Sequence, residues 1–498
     1  MSVGLLIILV VVLLIVLLAI RMPVALALAL SGAIGLLLLR GGDYTTNQLG
    51  AIPFSQTHSF SLTIIPMFIL MGIFAVRARI AEQVYAVARH VFRWIPGSLG
   101  VATVMACAGF AAVSGSSIGT AATMSRLSMG EMRKAGYPAS LAGAAVAVAG
   151  TLGALIPPSL FLVLYAIMTG ESVAAMLAAG IVPGIISAIA YATYIILKAK
   201  RNAHEWADRA GQLDRELDKA AGERRAEEKL PRGASGPGGQ DSPAEGAVTG
   251  AAAAEAATAA GAVDPAALPL TRDRTRLRDL PWRGVVRVGI LFLIVLGGIY
   301  AGFFTPTESA AVGAFAAAVM LVVEFRKDGL STLASNFTAA LKETAATTSM
   351  VFAIVIGSAI LSSFFIVARL PQMATEGVEG LGLNPYLTIA LLLLLLLPLG
   401  MALESISILV ISVPLIYPIA MSLGFDGIWL GILIVKFIEI GMVTPPVGIT
   451  CYVVAGTSNT KVETIFRGVT PFLLVEMAVV ALLFAFPVLS TWLPSLIR

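Results

Sequence analysis

The chain has 498 residues, of which 58% are apolar and 12% charged, and it carries a net charge of +4. Soluble domains average about a quarter charged residues, so this composition excludes an ordinary water-soluble globule. Two cysteines in apolar segments and three histidines without ligand spacing exclude a disulfide framework and a metal-dependent intramembrane protease, and the small positive charge calls for no nucleic acid.

A membrane-spanning helix needs about 20 apolar residues. Residues 4–20, GLLIILVVVLLIVLLAI, meet that requirement, and Arg21-Met22-Pro23 separates them from a second run at 24–39. No polar mature chain follows, so the first run reads as a retained helix and not as a cleaved signal. Residues 50–76, centred on Ser61–Pro66, predict a re-entrant hairpin, with a plain crossing as the competing reading. The apolar stretch 100–124 is interrupted by Ser114-Gly115-Ser116-Ser117-Ile118-Gly119-Thr120. Glycine costs about 1 kcal/mol inside a helix and hydroxyls compete for backbone bonds, so an unwound turn is expected there. Such a turn at membrane depth must be buried or line a cavity. Its carbonyls and hydroxyls suit Na⁺, and the facing helix N-termini suit an anion. Close helix packing uses the same residue types.

A second interruption follows at Gly153-Ala154-Leu155-Ile156-Pro157-Pro158-Ser159. Two prolines remove two amide donors, leaving carbonyls one turn earlier in need of a partner. Polar residues 198–283 then divide the chain. Within them 204–229 predict a surface helix, and the Gly-, Ala-, Ser- and Pro-rich remainder reads as a solvated tether without chemistry of its own. The division is thus 1–197, 198–283 and 284–498. Apolar runs resume at 285–304 and 308–323. Residues 345–369, with Gly357-Ser358 and Ser362-Ser363, predict a second hairpin. The run 386–399 leads to Pro398-Leu399-Gly400-Met401-Ala402-Leu403-Glu404-Ser405, where Glu404 is a carboxylate between apolar stretches; intramembrane acids usually face a cavity or a partner. Lys436 and Glu439, three apart, share a helix face and read as a structural pair. Gly441-Met442-Val443-Thr444-Pro445-Pro446-Val447-Gly448 repeats the Pro-Pro break, and 471–493 closes the membrane part.

The halves repeat one another. One ungapped offset of 288 places Gly136 on Gly424, Gly143 on Gly431, Gly153 on Gly441, Pro157-Pro158 on Pro445-Pro446 and Ser117 on Ser405. Internal repeats, often inverted, mark secondary transporters. Arg126, Arg133 and Lys134 have no charged counterparts at 414, 421 and 422, and a basic loop matched by a neutral one fits opposite membrane sides.

The stretches GFAAVSGSSIGTAATMSRLSMGEMRKAGYP (109–138), GTLGALIPPSLFLVLYAIMTGESVAAMLAAGIVPG (150–184), GGIYAGFFTPTESAAVGAF (297–315) and GMVTPPVGITCYVVAG (441–456) resemble the large permease subunit of TRAP (tripartite ATP-independent periplasmic) transporters. Residues about 200–280 depart from it, being longer and more polar than the family's connection. The resemblance implies an all-α polytopic membrane protein of two repeats, with re-entrant hairpins and broken helices, working as an elevator-type secondary importer in the bacterial inner membrane. It implies Na⁺ as the coupling ion, no other cofactor, and two partners: a small four-helix membrane subunit and a periplasmic substrate-binding protein. The implied substrates are small organic acids, such as C4-dicarboxylates, 2-keto acids and sialic acids. Matched site positions are Ser114, Gly115, Ser116, Ser117, Gly400, Glu404 and Ser405, then Thr444 and Pro445, and Ser362 by the loosest match. Na⁺ falls to Gly115, Ser116, Gly400 and Ser405. About twelve to fourteen membrane segments are expected, counting re-entrant ones.

Three rivals stand beside this reading: an ion-coupled anion symporter needing no binding protein, a channel, and a membrane enzyme. The Ser-rich motif has no histidine or lysine at helical spacing to act as a base, and no GxxxxGK[ST] loop offers direct ATP drive.

Overall fold

A computed structural model describes residues 2–20, 22–228, 280–370, 372–373, 376–377 and 384–497, and every regular element among them is helical. The first half contains α1 (Val3–Ala19), α2 (Val24–Arg40), α3 (Gly42–Thr57), α4 (Ile64–Arg77), α5 (Ile80–Val91), α6 (Ser98–Ser114), α7 (Ser117–Lys134), α8 (Ala139–Thr151), α9 (Leu160–Thr169) and α10 (Val173–Glu228). The second contains α11 (Trp282–Phe292), carried through a π-helical turn at Leu293–Gly297, then α12 (Pro306–Phe325), α13 (Leu330–Val367), α14 (Pro385–Leu394) and α15 (Leu396–Ala402). It ends with α16 (Ser405–Ser422), α17 (Gly427–Val443), α18 (Ile449–Ser458), α19 (Val462–Ala485) and α20 (Val488–Ser495).

Seven of the described helices are long and apolar enough to cross a membrane, and seven more apolar helices are shorter. On α1, Leu6, Val10 and Leu14 are buried while Leu5, Ile8, Leu9 and Val12 are exposed. Leucines on both faces suit a helix that packs on protein on one side and lipid on the other. At the start of α12, Thr305 and Glu308 form a reciprocal capping box around Pro306, which satisfies amide donors that a helix end leaves open.

The offset of 288 read in the sequence carries over to the elements. It superposes α7 on α16 and α9 on α18 to within a residue. The packing is reciprocal: α2 lies on α13 and α12 on α4, while α7 lies on α18 and α16 on α9. That exchange is the pattern of a pseudo-twofold pair of repeats. The α2–α13 contact is close enough that a Cβ built on Gly32 would sit 2.6 Å from the Leu361 amide nitrogen, and small residues allow such approach between membrane helices.

Two hairpin positions need correction. Residues 345–367 lie in α13, one unbroken helix of 38 residues, and Ala368 and Arg369 follow its end. Residues 50–76 form the end of α3, a 3₁₀ turn at Phe60–Thr63 and α4. The chain reverses instead at the Ser114–Ser117 and Ala402–Ser405 interruptions, where the sequence predicts breaks within a helix. Thr103 near the start of α6 comes within 3.9 Å of Met132 near the end of α7, so the two helices run antiparallel. Tyr386 at the start of α14 packs on Phe425 just beyond α16, with ring centroids 5.1 Å apart. Glycines and hydroxyls interrupt a helix in the same way whether the chain continues or turns back, so composition alone does not separate the two cases.

The expected surface helix at 204–229 is present over 204–228 as the far part of α10, after a non-helical residue at Asn202. Trp206 is buried there against Tyr137, ring centroids 4.4 Å apart, which holds this extension on the α7–α8 loop. The tether expected beyond Glu228, residues 229–279, lies outside the described residues.

Candidate functional site

The first hairpin ends on a tight tip. Gly115 has φ of 57°, a left-handed conformation that glycine takes without strain. Ser116 is extended and caps α7, its Oγ accepting from the Gly119 amide at 3.2 Å. The Ser114 and Thr120 hydroxyls lie 2.8 Å apart, and Ser117 donates to the Thr151 carbonyl at 3.4 Å. The tip rests on the first Pro-Pro break: a Cβ on Gly115 would meet the Pro158 carbonyl oxygen at 3.0 Å. Ser159 caps α9, accepting from the Leu162 amide and donating to the Ala154 carbonyl.

The second hairpin repeats this plan with a charged cap. Glu404 stands where Ser116 stands in the first repeat, and it caps α16. Its Oε2 accepts from the Ile406 amide at 3.1 Å, the Ser407 amide at 3.3 Å and the Ser407 hydroxyl at 3.3 Å. Ser405 is buried and donates to the Met442 sulfur. Gly400 and Gly441 cross backbone to backbone, since a Cβ on Gly441 would lie 2.5 Å from the Gly400 Cα. Thr444 ends α17 and donates its hydroxyl to the Ile440 carbonyl at 2.5 Å. Both Pro-Pro bonds are cis. Pro445 and Pro446 are exposed, whereas Pro157 and Pro158 are buried.

Each tip therefore docks on the Pro-Pro break of its own repeat. The breaks also adjoin each other, for Val148 and Thr151 share a small cavity with Ile440 and Val443. Two short helices, α9 and α18, and the two return arms, α7 and α16, all begin at these interruptions. Helix N-termini carry partial positive charge and unpaired amides, which suit an anionic group. The remaining donors are hydroxyl and carbonyl oxygens, the ligand class that a hard cation takes. No group of three or more His, Cys, Asp or Glu with metal-ligand geometry occurs among the described residues.

Of the positions expected from sequence, Ser114, Gly115, Ser116 and Ser117 come together at one tip and Gly400, Glu404 and Ser405 at the other, while Thr444 and Pro445 lie on the Pro-Pro break that Gly400 and Ser405 contact through Gly441 and Met442. Ser362 lies on the unbroken α13, where it offers a hydroxyl but no freed backbone carbonyl. Sequence reading missed Gly72, which lets α4 approach the first tip: a Cβ there would sit 2.6 Å from the Ser114 carbonyl oxygen. It also missed Glu476, Tyr191 and Ser187, which gather around Lys436 and Glu439. The one available signal was Glu476, an acid alone in an apolar run.

The family model described as the tripartite ATP-independent periplasmic transporter, DctM component, matches residues 11–489. The C4-dicarboxylate TRAP transporter large permease protein DctM of Pseudomonas aeruginosa is 30% identical over 469 residues, covering 93% of each chain. The sialic acid TRAP transporter large permease protein SiaM of Vibrio cholerae is 30% identical over 442 residues, covering 88% of this chain and 87% of its own. Among solved structures, the Alcanivorax borkumensis YdaH transporter shares the fold, with a TM-score of 0.56 at 14% identity over 90% of this chain and 89% of its own.

Proposed function

The chain belongs to the DctM family of TRAP large permeases, and from that premise we propose that it is the membrane permease of a Na⁺-coupled importer of small organic acids. It is a multi-pass transporter subunit and not an enzyme. In this reading it sits in the bacterial inner membrane beside a small four-helix subunit. It receives a C4-dicarboxylate, keto acid or sialic acid from a periplasmic binding protein. The observation that carries the reading is the meeting of two hairpin tips with two Pro-Pro breaks, one capped by serine and the other by a carboxylate.

Backbone at Gly115 and Gly400 with the hydroxyls of Ser116 and Ser405 would hold Na⁺, which supplies positive charge beside an anionic substrate. Ser114, Ser117, Glu404 and Thr444 shape the same region, and Pro445 keeps its backbone from re-forming a helix. The N-termini of α7, α9, α16 and α18 favour the substrate carboxylate. A membrane potential contributes about 2.3 kcal/mol per charge per 100 mV, which drives uptake when more cation charge than anion charge enters. In an elevator motion, hairpins and broken helices would slide as one body against the group made by α2, α4, α12 and α13.

The test is uptake into proteoliposomes holding this chain, its small partner and the cognate binding protein. Labelled organic acids are offered with and without an inward Na⁺ gradient. Uptake that needs Na⁺ and the binding protein, and that is lost in Ser116→Ala, is the expected result. Uptake without the binding protein would instead establish an independent anion symporter. Uptake indifferent to any ion gradient would overturn coupled transport.

A further inference from the structure

We propose that the buried cluster of Lys436, Glu439 and Glu476 is a proton-binding site, separate from the hairpin tips, with the proton carried on the Glu439 carboxyl. The three side chains are 0%, 1% and 3% exposed, inside the helical core. Lys436 Nζ donates to Glu439 Oε2 at 2.7 Å and to Ser187 Oγ of α10 at 3.0 Å, and it pairs with Glu476 of α19. Those contacts occupy the three N–H groups that an ammonium has. Tyr191 of α10 donates its hydroxyl to Glu476. Glu439 Oε1 has no hydrogen-bond partner.

Among the described residues, the wall of the cavity supplies no further charge. Val148 and Thr151 of α8, Ile440 and Val443 of α17, and Phe472 and Leu473 of α19 complete the wall. One ammonium thus faces two carboxylates, which leaves one negative charge uncompensated if both acids are ionised. A bare buried carboxylate is far costlier than its neutral acid, and in such a site it neutralises by taking up a proton. The space between the side chains admits no water-sized group, so a hydrated metal ion is not the occupant. Glu476 has donors from both Lys436 and Tyr191. Glu439 has Lys436 alone, so its free oxygen is where the proton belongs.

This site goes beyond the sodium reading and does not depend on it, because its ligand is a proton and its residues lie on α10, α17 and α19. The experiment is infrared spectroscopy of the purified full chain in detergent, in the region of the protonated carboxyl stretch, at neutral pH. Wild type is expected to show that band, and Glu404→Gln to keep it. Glu439→Gln should lose it while unfolding at the wild-type temperature. Glu476→Gln should also lose it, because Glu439 then ionises as the sole partner of Lys436. Lys436→Met should enlarge it, because both acids then hold protons. Superimposable wild-type and Glu439→Gln spectra would overturn the assignment. If the cluster variants do not fold, wild type alone decides, since a spectrum without any protonated carboxyl band at neutral pH would equally overturn it.

Discussion

Ser116 and Glu404 occupy equivalent places and perform the same capping with different charge. Removing a cap costs about 1 kcal/mol. Ser116→Ala and Glu404→Ala should both lower the unfolding midpoint of the purified protein, read by intrinsic fluorescence. Glu404→Gln retains an acceptor oxygen for the Ile406 and Ser407 amides, so its midpoint should stay near that of wild type. If it also raises the Na⁺ concentration needed for half-maximal uptake, Glu404 acts on the ion beyond its cap. An unchanged Na⁺ requirement assigns it to the cap alone. Gly72 makes a different point, because its missing side chain is what admits the Ser114 carbonyl. Gly72→Ala should displace the first tip, and displacements of about 1 Å at a working site cost on the order of a hundredfold in rate. Uptake near the wild-type level would show that the tip moves freely past α4.

At the scale of elements, the far part of α10 shows how a polar helix is held. Most of its described side chains beyond Asn202 are exposed, and Trp206 is its buried anchor on Tyr137. Losing a buried aromatic side chain costs about 3–5 kcal/mol. Trp206→Ala should therefore speed proteolytic cleavage within 203–228, followed by gel electrophoresis, without changing uptake. Cleavage at the wild-type rate would mean that other contacts hold the segment. Two ion pairs act similarly between elements. Arg77 of α4 meets Glu343 of α13 at 2.9 Å, and Arg287 of α11 meets Glu324 of α12 at 2.6 Å. Both are partly buried; the first joins helices far apart in sequence and the second joins consecutive ones.

For the whole molecule, the reciprocal packing of the repeats makes rigid-body motion the natural transition, because each tip is fastened to its own Pro-Pro break. Spin labels at Arg40→Cys on α2 and Lys134→Cys on α7, with the buried Cys107 and Cys451 replaced by serine, would report it. Two distance populations are expected, with weights that shift when Na⁺ and substrate are added. One unchanged distance would sink the elevator proposal. The tether reading of 229–279 is tested by joining Glu228 to Leu280 through a short Gly-Ser linker. Uptake should persist, and its loss would give the segment a working role.

The sequence by itself determined the membrane class, the two halves and the polar interruptions, since each is written locally in composition, proline and a constant offset. It also marked Ser114–Ser117 and Gly400–Ser405 as candidate sites, because glycines, hydroxyls and an acid are costly at membrane depth wherever they fall. Only the tertiary structure decided the direction of the chain beyond those interruptions, placing the reversals there and running α13 straight through Ser362. An unwound turn has the same local chemistry in either direction, and packing against neighbouring helices chooses between them. The partners of Lys436 were likewise hidden, because Ser187 and Glu476 reach it from other helices and Tyr191 in turn reaches Glu476, and no local periodicity records a contact across so much chain.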